Sequence, residues 1–189
     1  MNFSNAIREV VERTKRGDRV PLIRQAINKA VVDFSRMKKF RKDLRTLEWT
    51  VPPEHTDKTV LSLAWEEFMG EVREFEEIRA VNAACTLKEI LSNETLQNGR
   101  VRKGVYYQSG EGVFLSLVHP TPYIIFTYFS YPLRLVEDTD TNWVLRSVFD
   151  EVVERASALV FKGIGEDREA DRAMQVSMLS YERAMRDLV

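Results

Sequence analysis

The residues able to do chemistry are few and poorly grouped. Only two histidines, His55 and His119, and one cysteine, Cys85, occur among 189 residues. A zinc site needs three or four placed N, S or O ligands, and neither histidine sits in an HExxH or HxH pattern. A lone cysteine excludes an internal disulfide, a CxxC redox pair and a Cys-rich zinc site. With no histidine near it in sequence, Cys85 reads as a small buried thiol. The densest titratable cluster is acidic: Glu66, Glu67, Glu71, Glu74, Glu76 and Glu77. On a helix, Glu67, Glu71 and Glu74 would share one face, and paired carboxylates can run acid–base or metal chemistry. No ExxH partner accompanies them, so a solvated face is favoured over a metal enzyme built on residues 66–77. Ser109-Gly110-Glu111-Gly112 lacks phosphate-loop spacing and lies between strand-like runs. Gly163-Ile164-Gly165 follows a helix, the wrong context for a dinucleotide fingerprint. The expectation is no enzyme, no metal and no cofactor.

Charge is more informative than catalytic groups. The formal net charge is −1, but residues 1–45 hold 13 Lys and Arg against 5 Asp and Glu, a net of +8. Residues 46–98 hold 4 against 11, a net of −7, and residues 99–189 hold 11 against 13, a net of −2. Such asymmetry suits a nucleic-acid face, head-to-tail contact between copies, or simply a solvated basic helix. Lys38, Lys39, Arg41, Lys42 and Arg45 interleave with Phe34, Phe40 and Trp49, a pattern that can grip phosphates. The nearly neutral whole chain argues against a dedicated DNA binder, leaving transient, nonspecific contact.

The elements that must position these groups follow from periodicity. Residues 3–14 carry Phe3, Ile7, Val10 and Val11 at helical spacing. After Gly17-Asp18, Pro21 fits the first turn of a second helix striped by Leu22, Ile23, Ala26, Ile27, Ala30, Val31 and Phe34. The period then becomes two over Phe40–Val51, a strand ended by Pro52-Pro53, and Thr59–Leu63 is a second short strand. Residues 65–79 fit a helix or a strand, Thr86–Leu91 a short helix, and Asn98-Gly99 a turn. Val105–Gln108 and Val113–Val118 flank a glycine-rich hairpin connection. Tyr123–Tyr131 is apolar or aromatic on both faces, so it is buried on both sides or meets another subunit. Thr139–Asn142 offers N-cap oxygens to a helix with a broad apolar face from Val144 to Val160. The last helix, about 166–187, is striped by Ala170, Met174, Met178, Tyr181, Met185 and Leu188.

The fold class expected is α+β, with an antiparallel four-helix bundle built from the two chain ends and a β-rich insertion in the middle. The parts are 1–37 for the N-terminal helices, 38–136 for the insertion and 137–189 for the C-terminal helices, in one compact domain overall. Met1-Asn2-Phe3-Ser4 lacks a signal-peptide layout, and no run nears the roughly 20 apolar residues of a membrane span. A soluble, intracellularly made protein without membrane contact is expected.

Three stretches carry a resemblance. They are the strand–hairpin–strand run Val105–Val118 closed by His119-Pro120-Thr121-Pro122, the aromatic strand ending Tyr128-Phe129-Ser130-Tyr131-Pro132 with its acidic loop Glu137–Asn142, and the terminal helices joined at Gly163-Ile164-Gly165. Together with the order of elements, they resemble the head–tail adaptor (connector) proteins of tailed bacteriophages over nearly all the chain. The acidic segment 65–79 is longer than that resemblance leads one to expect.

The resemblance implies a non-enzymatic virion structural protein, made in the host cytoplasm and placed at the capsid–tail junction. Its partners would be the portal, a tail or nozzle protein and copies of itself, in a ring typically of twelve that lets DNA pass. The C-terminal residues Arg183, Arg186, Asp187, Leu188 and Val189 are the portal-binding candidates. A ring uses heterologous interfaces, for which the basic and acidic blocks would give complementary faces; the subunit-interface candidates are Lys38, Lys39, Arg41, Lys42, Glu67, Glu71, Glu74, Tyr128 and Tyr131. The competing reading is a small nucleic-acid-binding regulator using the basic N-terminal helices.

Overall fold

The computed structural model describes residues 1–81, 85–89, 96–97 and 100–187. The chain divides into two compact units, one formed by Met1–Lys42 with Pro132–Val189 and the other by Asp43–Tyr131. The sequence reading drew the corresponding boundaries at 37–38 and 136–137.

The first unit is helical. Helix α1 (Phe3–Thr14) is capped by Asn2, whose side-chain oxygen accepts from the Asn5 N–H at 3.0 Å, and it buries Phe3, Ala6 and Val10. Helix α2 (Val20–Arg36) has Pro21 in its first turn, where a missing N–H breaks no bond, and it buries the predicted stripe from Ile23 to Phe34. Helices α3 (Trp143–Ser147), α4 (Phe149–Gly163) and α5 (Asp167–Asp187) complete the unit. Residues of all five join one apolar core that includes Phe34, Phe40, Trp143, Val152 and Tyr181.

This overturns the expected four-helix bundle. The described residues form five α-helices, because the apolar run after Asn142 is two helices rather than one. Val148, at φ −139° and ψ 52°, is outside helical geometry yet 2% exposed. Its N–H ends α3 on the Val144 carbonyl at 2.9 Å, and its carbonyl starts α4 by accepting from Val152 at 3.1 Å. Apolar periodicity does not register a one-residue break whose side chain stays buried.

The stripe of α5 also differs from expectation. Ala170 and Tyr181 are buried as expected, but so are Ser177 and Ala184, whereas Met178 is 52% exposed. Alanine and serine carry little apolar area, so Ser177 and Ala184 do not stand out in the sequence beside Met178.

The second unit is sheet-rich. Its larger strands make two three-stranded antiparallel sheets, each extended by one two-residue strand. In the first, β1 (Leu44–Thr50) and β3 (Val72–Ala80) flank a later central strand, Tyr123–Ser130. In the second, β2 (Val60–Ala64) pairs with Gly112–Ser116, which also pairs with Val105–Gln108. The short strands are β4 (Cys85–Thr86), beside β3, and β5 (Lys88–Glu89), with β6 (Leu96–Gln97) and β7 (Arg100–Val101) as a separate pair. In chain order the remaining strands are β8 (Val105–Gln108), β9 (Gly112–Ser116) and β10 (Tyr123–Ser130).

Ile124, Phe126 and Tyr128 of β10 enter a core with Leu61, Leu63, Phe68, Phe75, Ile78, Val113 and Leu115. Residues 85–89 are extended, not the start of the expected helix; residues 90–91 and the expected turn at Asn98-Gly99 lie outside the described residues. The expectation of a buried Cys85 thiol also falls outside what the structure describes.

Candidate interaction surfaces

Residues 65–71 form a short turn that the core holds from behind. Trp65–Glu67 is a single 3₁₀ turn, closed by the Phe68 N–H donating to the Trp65 carbonyl at 3.1 Å. The Trp65 indole N–H donates to the Ser109 carbonyl at 2.9 Å. Phe68 is 5% exposed and packs edge-to-face on Phe126 and Tyr128, each at 5.3 Å between centroids. The Met69 N–H donates to the Tyr128 hydroxyl at 3.0 Å, and Gly70 takes φ +80°, a conformation that favours glycine. Glu66, Glu67, Met69 and Glu71 are thereby turned outward, with Met69 67% exposed.

Glu67, Glu71 and Glu74 therefore do not share a helical face. Glu67 is in the turn, Glu71 follows it, and Glu74 lies on β3, although all three side chains are exposed. The sequence reading followed helical spacing through Gly70, where the positive φ ends any helix. Tyr131 is half-buried and its N–H donates to the Glu71 carbonyl at 3.0 Å, so these two candidates meet. Tyr128 is 1% exposed and offers no surface; its hydroxyl is spent on Met69.

The basic candidates follow α2. Phe40 is buried, stacked on Phe34 at 5.3 Å and tilted against Trp143 at 5.1 Å. That anchor leaves Lys38, Lys39, Arg41 and Lys42 exposed on either side of it. The Lys42 ammonium donates to the Ser147 hydroxyl at 3.0 Å and sits 5.7 Å from the Trp143 ring centroid, a cation–π arrangement.

Of the C-terminal candidates, Arg183 and Arg186 are exposed on α5, Asp187 ends that helix, and Leu188 and Val189 lie outside the described residues. Arg186 and Met185 line an open depression of about 690 Å³ with Met37, Lys38 and Glu182. Residues the sequence assigned to two separate sites, Lys38 and Arg186, thus share one hollow. Sequence reasoning missed Met37 and, on α5, Val176 and Leu179; it reads Met174, Met178 and Met185 as core packing ahead of partner contact, and Met178 is exposed. An exposed methionine looks the same in a sequence as a buried one.

The Arg155 guanidinium bridges to Asp33 at 2.8 Å, joining α4 to α2. The Tyr181 hydroxyl donates to the Ala30 carbonyl at 3.1 Å, and burial pushes its pKa upward, so it stays protonated. His55 lies beside Lys58, its Nδ1 2.7 Å from the ammonium. Among the described residues, no group of three His, Cys, Asp or Glu is placed to hold a metal ion. No described helix is long and apolar enough to cross a membrane.

The described residues thus include an ordered acidic turn, a hollow lined by Lys38, Arg186 and Glu182 with two methionines, and exposed apolar side chains on α5. No curated protein matches the chain in sequence. A family model does, over residues 1–189, and its description agrees with those surfaces: the chain belongs to the SU10 adaptor protein family and is a structural adaptor of a bacteriophage.

Proposed function

We propose that this chain joins a phage portal to the tail, with copies arranged as a ring beneath the portal and DNA passing through its centre. The observation that carries this reading is the family match across all 189 residues. Charge segregation supports it, since rotational rings need two unlike faces on every subunit. Lys38, Lys39, Arg41 and Lys42 would form one face, and Glu67, Glu71, Glu74 and Tyr131 the other. Arg183, Arg186, Asp187, Leu188 and Val189 would engage the portal, and the tail or nozzle protein would dock on the opposite side. Twelve subunits is the expected copy number, in a virion assembled in the host cytoplasm. DNA contact would be transient and nonspecific, with affinity falling steeply as salt rises.

Electron microscopy of the purified chain, alone and mixed with portal, is the test. Rings that stack coaxially on the portal are the expected result. Deleting residues 183–189 should leave a folded protein that no longer co-purifies with portal. A monomer that ignores the portal but selects a DNA sequence at low salt would replace this reading with the regulator.

A further inference from the structure

The geometry points to a specific contact between copies: the acidic turn around Met69 of one subunit seats in the basic hollow of the next. This inference rests on the ring reading and deepens it by naming the mating surfaces. Complementary charge is the first argument. The turn presents the exposed carboxylates of Glu66, Glu67 and Glu71, and the hollow is lined by the cations of Lys38 and Arg186 beside a single acid, Glu182. The second argument is shape and polarity. Met69, which stands between Glu67 and Glu71 in the sequence, is 67% exposed, while the hollow is lined by Met37, 43% exposed, and Met185 together with Lys38 and Arg186. Methionine against methionine gives an adaptable apolar contact, and the flanking charges fix its orientation.

The third argument is preorganisation. An exposed methionine on a loose loop would lose much of its contact energy to ordering on binding. Here Phe68 is buried, Trp65 is hydrogen-bonded to Ser109, and the Met69 backbone is tied to Tyr128, so the turn is already ordered. Glu182 also lines the hollow and opposes the incoming carboxylates, which places the favourable seat on its Lys38 and Arg186 sides.

The test is site-directed cross-linking of the full chain at high protein concentration, in a Cys85→Ser background. Met69→Cys and Met185→Cys together, treated with a short thiol cross-linker, should give a ladder of covalent multimers on a denaturing gel. Either single substitution should not, and an equal mixture of the two singles should stop at dimers. Glu67→Lys with Glu71→Lys should abolish the ladder, and adding Lys38→Glu with Arg186→Glu should restore it. Circular dichroism of each variant should match that of the parent chain, showing that it folds. Rings in the microscope without a ladder would overturn the contact and leave the ring reading standing. A ladder without rings would support the contact and defeat the ring. A monomer cross-linked only within itself, or neither ring nor ladder, would overturn it.

Discussion

The Tyr128 hydroxyl binds both backbone polar groups of Met69, accepting from its N–H at 3.0 Å and facing its carbonyl at 3.4 Å. A buried aromatic on the central strand thus fixes an exposed turn that is distant from it in sequence. Tyr128→Phe keeps the ring's packing and removes this tie. The fold should survive with a loss of about 0.5–1.5 kcal/mol for the 3.0 Å hydrogen bond and little more for the longer one. Hydrogen exchange at the Met69 amide should quicken more than at amides of β10. Unchanged exchange there would mean that Phe68 alone sets the turn.

Much of the molecule was legible because its signals are local. The stripe of α2, the proline that opens it and the Asn142 cap before Trp143 each depend on neighbouring residues, and each is where the sequence puts it. What was not legible depends on single backbone conformations or long-range packing. Nothing local announces the break at Val148, because valine there is as apolar as the residues around it. Gly70 was visible, but only the structure shows its φ to be positive, and that sign separates a turn followed by β3 from a helix. Tyr128 read as a possible contact because β10 is aromatic on both faces. Which face is covered depends on β1, β3 and the second sheet, whose pairing one strand's sequence cannot reveal. The charged candidates were easier, since long charged side chains seldom bury without partners.

Gly112 is required by the approach of two strands rather than by a turn. A Cβ built on it would lie 2.2 Å from the Leu63 carbonyl oxygen, a backbone atom of the paired strand β2. Gly112→Ala should therefore push β9 from β2 and cost about 1–3 kcal/mol, in the range of core overpacking. Gly110, two residues earlier, has open space around the same built atom. Gly110→Ala should be neutral or stabilise by about 0.4–1 kcal/mol through the unfolded chain. Urea midpoints of the two variants separate these effects; equal midpoints would sink the argument.

Asp140 organises the loop that meets α1. Its Oδ2 accepts from the N–H groups of Val136 at 2.8 Å and Glu137 at 2.9 Å, while its carbonyl accepts from the Phe3 N–H at 2.8 Å. The two side-chain bonds favour the ionised form and hold its carboxyl below the ordinary aspartate range. A depressed folded-state value means that this stabilisation is complete above the ordinary aspartate value. It is lost as pH falls through the folded-state value. Asp18, lowered chiefly by its hydrogen bond from Arg16, adds a dependence of the same sign. The melting temperature of the wild type should fall more steeply between about pH 5 and pH 3 than that of Asp140→Asn. Parallel curves would show that the loop's hydrogen bonds are not coupled to folding.

Two buried serines should respond in different ways to the same substitution. Ser177 of α5 is 0% exposed, and its hydroxyl has no hydrogen-bond partner among the described residues. Ser157 of α4 is 2% exposed, but its hydroxyl donates to the Val153 carbonyl at 2.8 Å. An unsatisfied buried hydroxyl opposes folding, and alanine also has the better helix propensity. Ser177→Ala should therefore stabilise the protein by about 1 kcal/mol. Ser157→Ala gains the same propensity but gives up a bond, so it should lie near zero or be destabilising. Denaturant midpoints measured side by side decide the matter. If Ser177→Ala destabilises, its hydroxyl has a partner in solution, and α5 packs differently from the arrangement described above.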